Sequence, residues 1–147
     1  MTPDSLYAGH IFVRFSCGAT SAVAAKLVCE KFANVTVIRA KLLEEHPDND
    51  RFCADVSAWI GRPIKTVADE KYGGSAMEVF RRHRFIKSRN GAKCSRVLKR
   101  DVIEPHVYQY SLQVYGFHAG EADRAVDFQE LNSDQEIWTP LIDAGLD

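Results

Sequence analysis

Apolar residues come in two kinds of run along this chain, and their alternation predicts the fold. Ile11-Phe12-Val13-Arg14-Phe15 is a short buried strand, interrupted only by Arg14, that stops at the small polar stretch Ser16 to Ser21. Ala24, Leu27, Val28 and Phe32 then recur at three- and four-residue steps, with Lys26, Glu30 and Lys31 on the other side, the pattern of a helix covering a sheet. Asn34 ends that helix, and Val35-Thr36-Val37-Ile38 is a second buried strand. Strand, helix and strand in so short a span predict a right-handed crossover and a parallel sheet.

Beyond the polar loop Glu44 to Asp48, the stripe Phe52, Val56, Trp59 and Ile60 predicts a second helix, stopped by Gly61 and Pro63, with a third strand over 63–67. Gly73-Gly74-Ser75 breaks the chain and offers Ser75 as N-cap of a helix through Val79, Phe80 and His83. A basic loop is expected around Ser88-Arg89-Asn90-Gly91, and a helix from Cys94 to Val102. Tyr110, Leu112 and Val114 alternate with Ser111, Gln113 and Tyr115 as a late strand ending at Gly116. Glu121 to Phe128 is a last short helix, and the tail 138–142 is apolar enough to dock. The expectation is α/β: one Rossmann-like, doubly wound domain over 1–147, its central sheet mainly parallel and flanked by helices.

Composition changes this picture little. With 147 residues, 46% apolar and 27% charged, the chain has the size of one globular domain. Met1 to His10 lacks the apolar length of a signal peptide or membrane span, so a cytoplasmic protein with no membrane partner is expected. Cys17, Cys29, Cys53 and Cys94 are far apart, with no C-x-x-C spacing, which predicts neither a zinc site nor a disulfide framework. Net charge is −1, but it is unevenly spread. No acid lies between Glu78 and Asp101, a window holding Arg81, Arg82, Arg84, Lys87, Arg89, Lys93, Arg96, Lys99 and Arg100, nine of the 19 basic residues. Such a segment suits a polyanion, and nucleic acid is one candidate for 81–100.

In an open parallel sheet, ligands gather at the carboxyl ends of the strands, where helix N-termini aim N–H groups outward. Ser16 to Ser21 occupies such a place. Its small residues allow close approach of an anion, Gly18 permits a left-handed or otherwise special backbone angle, and the Ser and Thr hydroxyls add donors.

The string Ser16-Cys17-Gly18-Ala19-Thr20-Ser21 resembles the S-G-G-x-[DT]-S pyrophosphate loop of the PP-loop, or adenine nucleotide alpha hydrolase-like, superfamily. Further along come Glu45-His46-Pro47-Asp48 with Arg51-Phe52, Trp59-Ile60-Gly61, Cys94-Ser95-Arg96-Val97-Leu98-Lys99, Val114-Tyr115-Gly116-Phe117 with Glu121 and Arg124, and Pro140-Leu141-Ile142. Their order and spacing resemble the phosphoadenosine phosphosulfate reductase branch, including its phage and prophage members. That resemblance implies an adenine nucleotide ligand, phosphoadenosine phosphosulfate or ATP, with Mg²⁺ joining it where ATP is used. Ser16, Cys17, Gly18, Ala19, Thr20, Ser21 and Gly116 would surround the phosphate or sulfate end. Arg96 and Lys99, one helical turn apart, would clamp the same anion, a planar fork beside a point charge.

The departures are equally specific. Cys17 stands where a glycine of the loop is usual, and no cysteine follows Cys94, whereas reductases of this branch carry a nucleophilic cysteine in an E-C-G-L-H type tail. Cys94, beside Lys93, Arg96 and Lys99 and near a helix start, is the internal candidate nucleophile. Followed by Ser95, it offers no cysteine pair for an iron–sulfur cluster. His46 and His118 lie in loops expected to face the same cleft. Three functions stay open: sulfonucleotide reduction with a thioredoxin-like reductant, ATP-dependent adenylation or sulfuration of a nucleic acid, and a non-catalytic nucleotide sensor or sequestering module. A homodimer is left open as well.

Overall fold

The computed structural model describes residues 2–4, 6–84, 87–88 and 91–147. Strands β1 (Ile11–Arg14), β2 (Val35–Ala40) and β3 (Ile64–Val67) are linked by helices α1 (Ala19–Lys31) and α2 (Asn49–Ile60). After α3 (Ala76–His83) come two paired dipeptides, β4 (Lys87–Ser88) and β5 (Gly91–Ala92), which run antiparallel. The basic loop expected there centres on Arg89 and Asn90, which lie outside the described residues. A continuous helical stretch follows, made of α4 (Lys93–Ser95), a π-helical turn (Arg96–Arg100), α5 (Asp101–Ile103) and a 3₁₀ turn (Glu104–His106). Strand β6 (Leu112–Val114), a 3₁₀ turn (Ala119–Glu121), α6 (Ala122–Leu131), β7 (Glu136–Trp138) and α7 (Pro140–Asp143) complete the chain.

The sheet is five-stranded and all parallel, in the order β3-β2-β1-β6-β7. This is a single α/β, Rossmann-like arrangement. β1 is central: Ile11 stands opposite Val35 on one side and Leu112 on the other. Alternate residues of each strand face opposite layers. One layer packs Ile11, Val13, Val37, Leu112 and Val114 against Ala22, Ala25 and Val28 of α1, Val56 and Ile60 of α2, and Leu141 of α7. The other sets Phe12 and Ile38 against Ile103. A satellite cluster of Tyr72, Val79 and Leu98 joins α3 to the π-helical turn, with Cys94 and Val97 packed on it.

Several sequence expectations are refined by this packing. The tail is a fifth strand as well as a docked helix, because Ile137 and Trp138 pair beside β6 before Pro140 starts α7. Trp59, expected on the buried stripe of α2, is 51% exposed and lies under the Lys26 ammonium, whose Nζ donates to the Trp59 carbonyl at 2.9 Å. Lys26 is therefore an interhelical clamp rather than a free solvated charge. The alternation expected over 110–115 fails because β6 is covered on both faces: Ser111 to Val114 are all buried, and Tyr110, at φ 63°, is 84% exposed. Among the described residues no helix is long and apolar enough to cross a membrane.

Two polar arrangements tie the elements together, one between the layers and one at the start of α3. Arg14, pointing into the second layer, donates Nε to Gln113 Oε1 at 2.9 Å and pairs with Glu104 at 3.0 Å, which anchors the long helical stretch to β1 and β6. Ser75 caps α3 as expected, accepting from the Glu78 N–H at 3.2 Å. Glu44, in the loop after β2, adds a second cap by accepting from the N–H groups of Ala76 (2.8 Å) and Met77 (3.2 Å) and from the Ser75 hydroxyl.

The Ser75 hydroxyl, opposed by slight desolvation and helped by the α3 N–H groups, holds the Glu44 carboxyl below the usual glutamate range. A pKa lowered by folding contributes stability that is complete above the ordinary glutamate value and is lost as pH falls through the folded value. Glu44→Gln is accordingly expected to lower the melting temperature at pH 7 and to converge on wild type as the solution is acidified. Thermal unfolding followed by circular dichroism across that range checks this; a gap that is independent of pH would show that Glu44 does not act through its charge.

Candidate functional site

The strand order reverses between β1 and β6, so the connections leaving their carboxyl ends diverge and open a crevice there. The turn Ser16–Ser21 leaves β1 at this point, and Tyr115, Gly116 and Phe117 leave β6. Helix α1 begins at Ala19, with Gly18 as an extended N-cap (φ −105°, ψ 159°). No side chain caps it, and its first turn holds no acid. Its terminal N–H groups and the positive end of its dipole are thus without a side-chain acceptor from the cap.

Ser21 shapes the turn from inside. It is 2% exposed, and its hydroxyl receives the Ser16 N–H at 3.1 Å and the Ser16 hydroxyl at 3.2 Å while donating to the Gly18 carbonyl at 3.0 Å. Ser16 and Ala19 are exposed, and Cys17, Gly18 and Thr20 half-buried. The left-handed angle expected at Gly18 falls one residue earlier, on Cys17, at φ 59°. This is the position where the resemblance calls for glycine, and a side chain there is strained.

Gly116 closes the arrangement from the β6 side. A Cβ built on it would meet the Ser21 Cα and N at 2.8 Å and the Thr20 carbonyl carbon at 3.0 Å. All three are backbone atoms, so only glycine lets the two main chains approach this closely. Gly116 and Ser16–Ser21, singled out separately in the sequence, are in direct contact.

Arg39 is the residue that sequence reading passed over. Near the end of β2 and 4% exposed, its guanidinium donates to Cys17 Sγ at 3.3 Å and Thr66 Oγ1 at 3.1 Å, and pairs with Asp50 and, at 3.9 Å, with Glu45. Burial works against its charge, and the Asp50 carboxylate and Cys17 sulfur outweigh it, holding its pKa above the ordinary arginine value. The only sequence signal was an arginine inside the apolar run Val35–Ala40.

The basic segment lies on other elements. Arg96 and Lys99 are exposed on the π-helical turn, and among the described residues neither is tied to Ser16–Ser21 by a hydrogen bond or ion pair. Arg81 and Arg82 are held by Glu78, and Arg100 by Glu104 and Asp134. Arg84, Lys93, Arg96 and Lys99 have no ion-pair partner among the described residues. Cys94 is half-buried against the Tyr72, Val79 and Leu98 cluster. His118 caps the 3₁₀ turn after Gly116 and meets Asp147 at 3.1 Å, while His46 accepts from the Asp48 N–H at 3.1 Å within its own loop. Two surface clefts lie away from the turn: one of about 420 Å³ beside Arg62 and Pro63, another of about 340 Å³ between Tyr72, His83 and Lys93. Concavity alone would favour them, but neither combines a helix N-terminus with the switch point of the sheet. No group of three or more His, Cys, Asp or Glu side chains among the described residues is placed to hold a metal ion.

No protein-family model matches the sequence, and no match was found among curated proteins either.

Gly116→Ala is expected to destabilise the protein by about 1–3 kcal/mol, the usual cost of forcing an atom into a packed interior whose neighbours cannot yield. Gly18→Ala is the control, because a Cβ there meets only Ser16 Oγ, at 3.6 Å. Chemical denaturation of the two variants checks this; equal midpoints would mean that the β6 and α1 backbones separate at little cost.

Proposed function

We propose that the chain binds the phosphate or sulfate end of an adenine nucleotide at the turn Ser16–Ser21. The observation that carries this reading is the uncapped N-terminus of the 13-residue α1 lying at the switch point against Gly116. Free N–H groups and a helix dipole there favour an anion, and the exposed Ser16 and half-buried Thr20 offer hydroxyls beside them. The resemblance to the phosphoadenosine phosphosulfate reductase branch supplies the choice of an adenine nucleotide, with Mg²⁺ where ATP is bound.

Within that reading, binding without sulfonucleotide turnover is favoured over reduction. Reduction needs a thiolate to attack the sulfur and a second thiol to resolve the covalent intermediate. Cys94, the internal candidate for that thiolate, packs half-buried on the α3 cluster. Arg84, Lys93, Arg96 and Lys99, which have no ion-pair partner among the described residues, supply an anionic partner with charge, either the nucleotide itself or a nucleic acid backbone.

Calorimetric titration with ATP, adenosine 3′,5′-bisphosphate and phosphoadenosine phosphosulfate tests the proposal, and absence of binding by all three overturns it. Lys99→Ala is expected to weaken affinity about ten- to a hundred-fold, the worth of a charge-assisted hydrogen bond. Lys31→Ala should leave it unchanged, since Lys31 closes the far end of α1, about 18 Å from the turn. Equal affinities in the two variants would remove Lys99 from the site.

Thioredoxin-coupled sulfite release is expected at background in wild type. Robust turnover that disappears in Cys94→Ser would instead make Cys94 the nucleophile.

A further inference from the structure

Cys17 touches the first turn of the helix that carries Cys53. Its Sγ lies 4.0 Å from the main-chain oxygen of Asn49, the carbonyl at the start of α2 that faces the N–H of Cys53 one turn on. Helical side chains lean toward the N-terminus of their helix, so the Cys53 thiol leans back over the turn that Cys17 touches. Cys53 is 8% exposed within the main apolar cluster, and Cys17 packs on that same cluster. The electrostatics agree with this placement: burial pushes the Cys53 thiol up, the Arg39 charge opposes it, and Cys17 adds to the rise.

The two sulfurs are not equivalent. Cys17 is half-buried on an exposed turn, and the buried Arg39 guanidinium donates to its sulfur at 3.3 Å. Cys53 is enclosed. Cys29 packs on the same cluster from the last turn of α1, beside Lys26 and Arg62, and Cys94 lies against the α3 cluster. The usual asymmetry of a redox pair, one accessible attacking sulfur and one sheltered resolving sulfur, is therefore present in the loop proposed to hold the anion.

We propose that Cys17 and Cys53 form a peroxide-responsive dithiol whose oxidation ties the Ser16–Ser21 turn to α2. In the first step the Cys17 thiolate attacks one oxygen of hydrogen peroxide; the S–O bond forms, the O–O bond breaks, and the departing hydroxide leaves as water with the proton the thiol gave up. In the second, the Cys53 sulfur attacks the Cys17 sulfur, the S–S bond forms, the S–O bond breaks, and a second water carries off the Cys53 proton. Two thiols lose two electrons and one peroxide gains them. The inference is independent of the nucleotide reading, because thiol pairing is measured without any ligand.

The full-length chain is treated with one equivalent of hydrogen peroxide, blocked with iodoacetamide, and mapped by mass spectrometry of peptides prepared without reductant. The expected product is a monomer with a Cys17–Cys53 linkage and free Cys29 and Cys94. In Cys53→Ala, Cys17 is expected to persist as a sulfenic acid and to be trapped by dimedone. A wild-type map that leaves Cys17 unmodified overturns the proposal. So does one that links Cys17 to Cys29, to Cys94 or to a second molecule, or a wild-type Cys17 that accumulates as sulfenic acid while Cys53 stays free.

Discussion

At the switch point the main chain leaving β6 presses on the main chain entering α1. The contact at Gly116 has backbone on both sides, so neither partner can retreat by changing a rotamer, and it sets how far α1 can slide along the sheet. Because β6 is in register with β1 through Val13 and Val114, the same contact fixes where α1 begins relative to the end of β1. The turn Ser16–Ser21 is what remains to join two ends already held in place. Its strained angle at Cys17 and its internal strut at Ser21 are the local solutions to that spacing.

Two arginines stand beside this turn on opposite sides of the sheet. Arg14 reaches into the layer beneath the long helical stretch, and Arg39 into the layer beneath α2. A buried guanidinium is costly unless its charge is matched, and each has carboxylates: Glu104 for Arg14, Asp50 and Glu45 for Arg39. These pairs leave the turn flanked by positive charges that are already compensated. An incoming anion therefore gains more from the N–H groups of α1 than from either arginine. Among the described residues Arg84 after α3, Lys93 on α4, and Arg96 and Lys99 on the π-helical turn form a further group of cations with no ion-pair partner. The widened turn at Arg96–Arg100 occurs in the same segment, where the helix must satisfy Leu98 in one cluster and Ile103 in another.

The thiols extend the same logic. Cys17 combines strain, partial exposure and a cationic neighbour, whereas Cys29 and Cys53 are small apolar groups in helix faces. A cysteine at a left-handed position is an expensive choice for a turn that glycine would make more easily. The contact with Arg39 and the proximity of α2 give that choice a chemical use.

Much of this was legible in the residues. The runs Ile11–Phe15 and Val35–Ile38 are apolar and β-branched because central parallel strands are buried on both faces, and the helical stripe between them follows from covering one of those faces. Ser75 is read as a cap because a hydroxyl before a helix finds an N–H three residues on. The small residues of Ser16–Ser21 mark a tight strand-to-helix turn for the same local reason. What a sequence encodes within one element, by period or by cap, survives in its order of residues. Tertiary structure alone decided the rest. It made Glu136–Trp138 a strand, since three residues carry no period and acquire one only beside β6. It buried Arg39 and exposed Trp59, since burial there depends on Asp50 and Lys26, which lie on other elements. It also brought Gly116 onto Ser21 across 95 positions of chain, a contact between backbones that no side-chain pattern records.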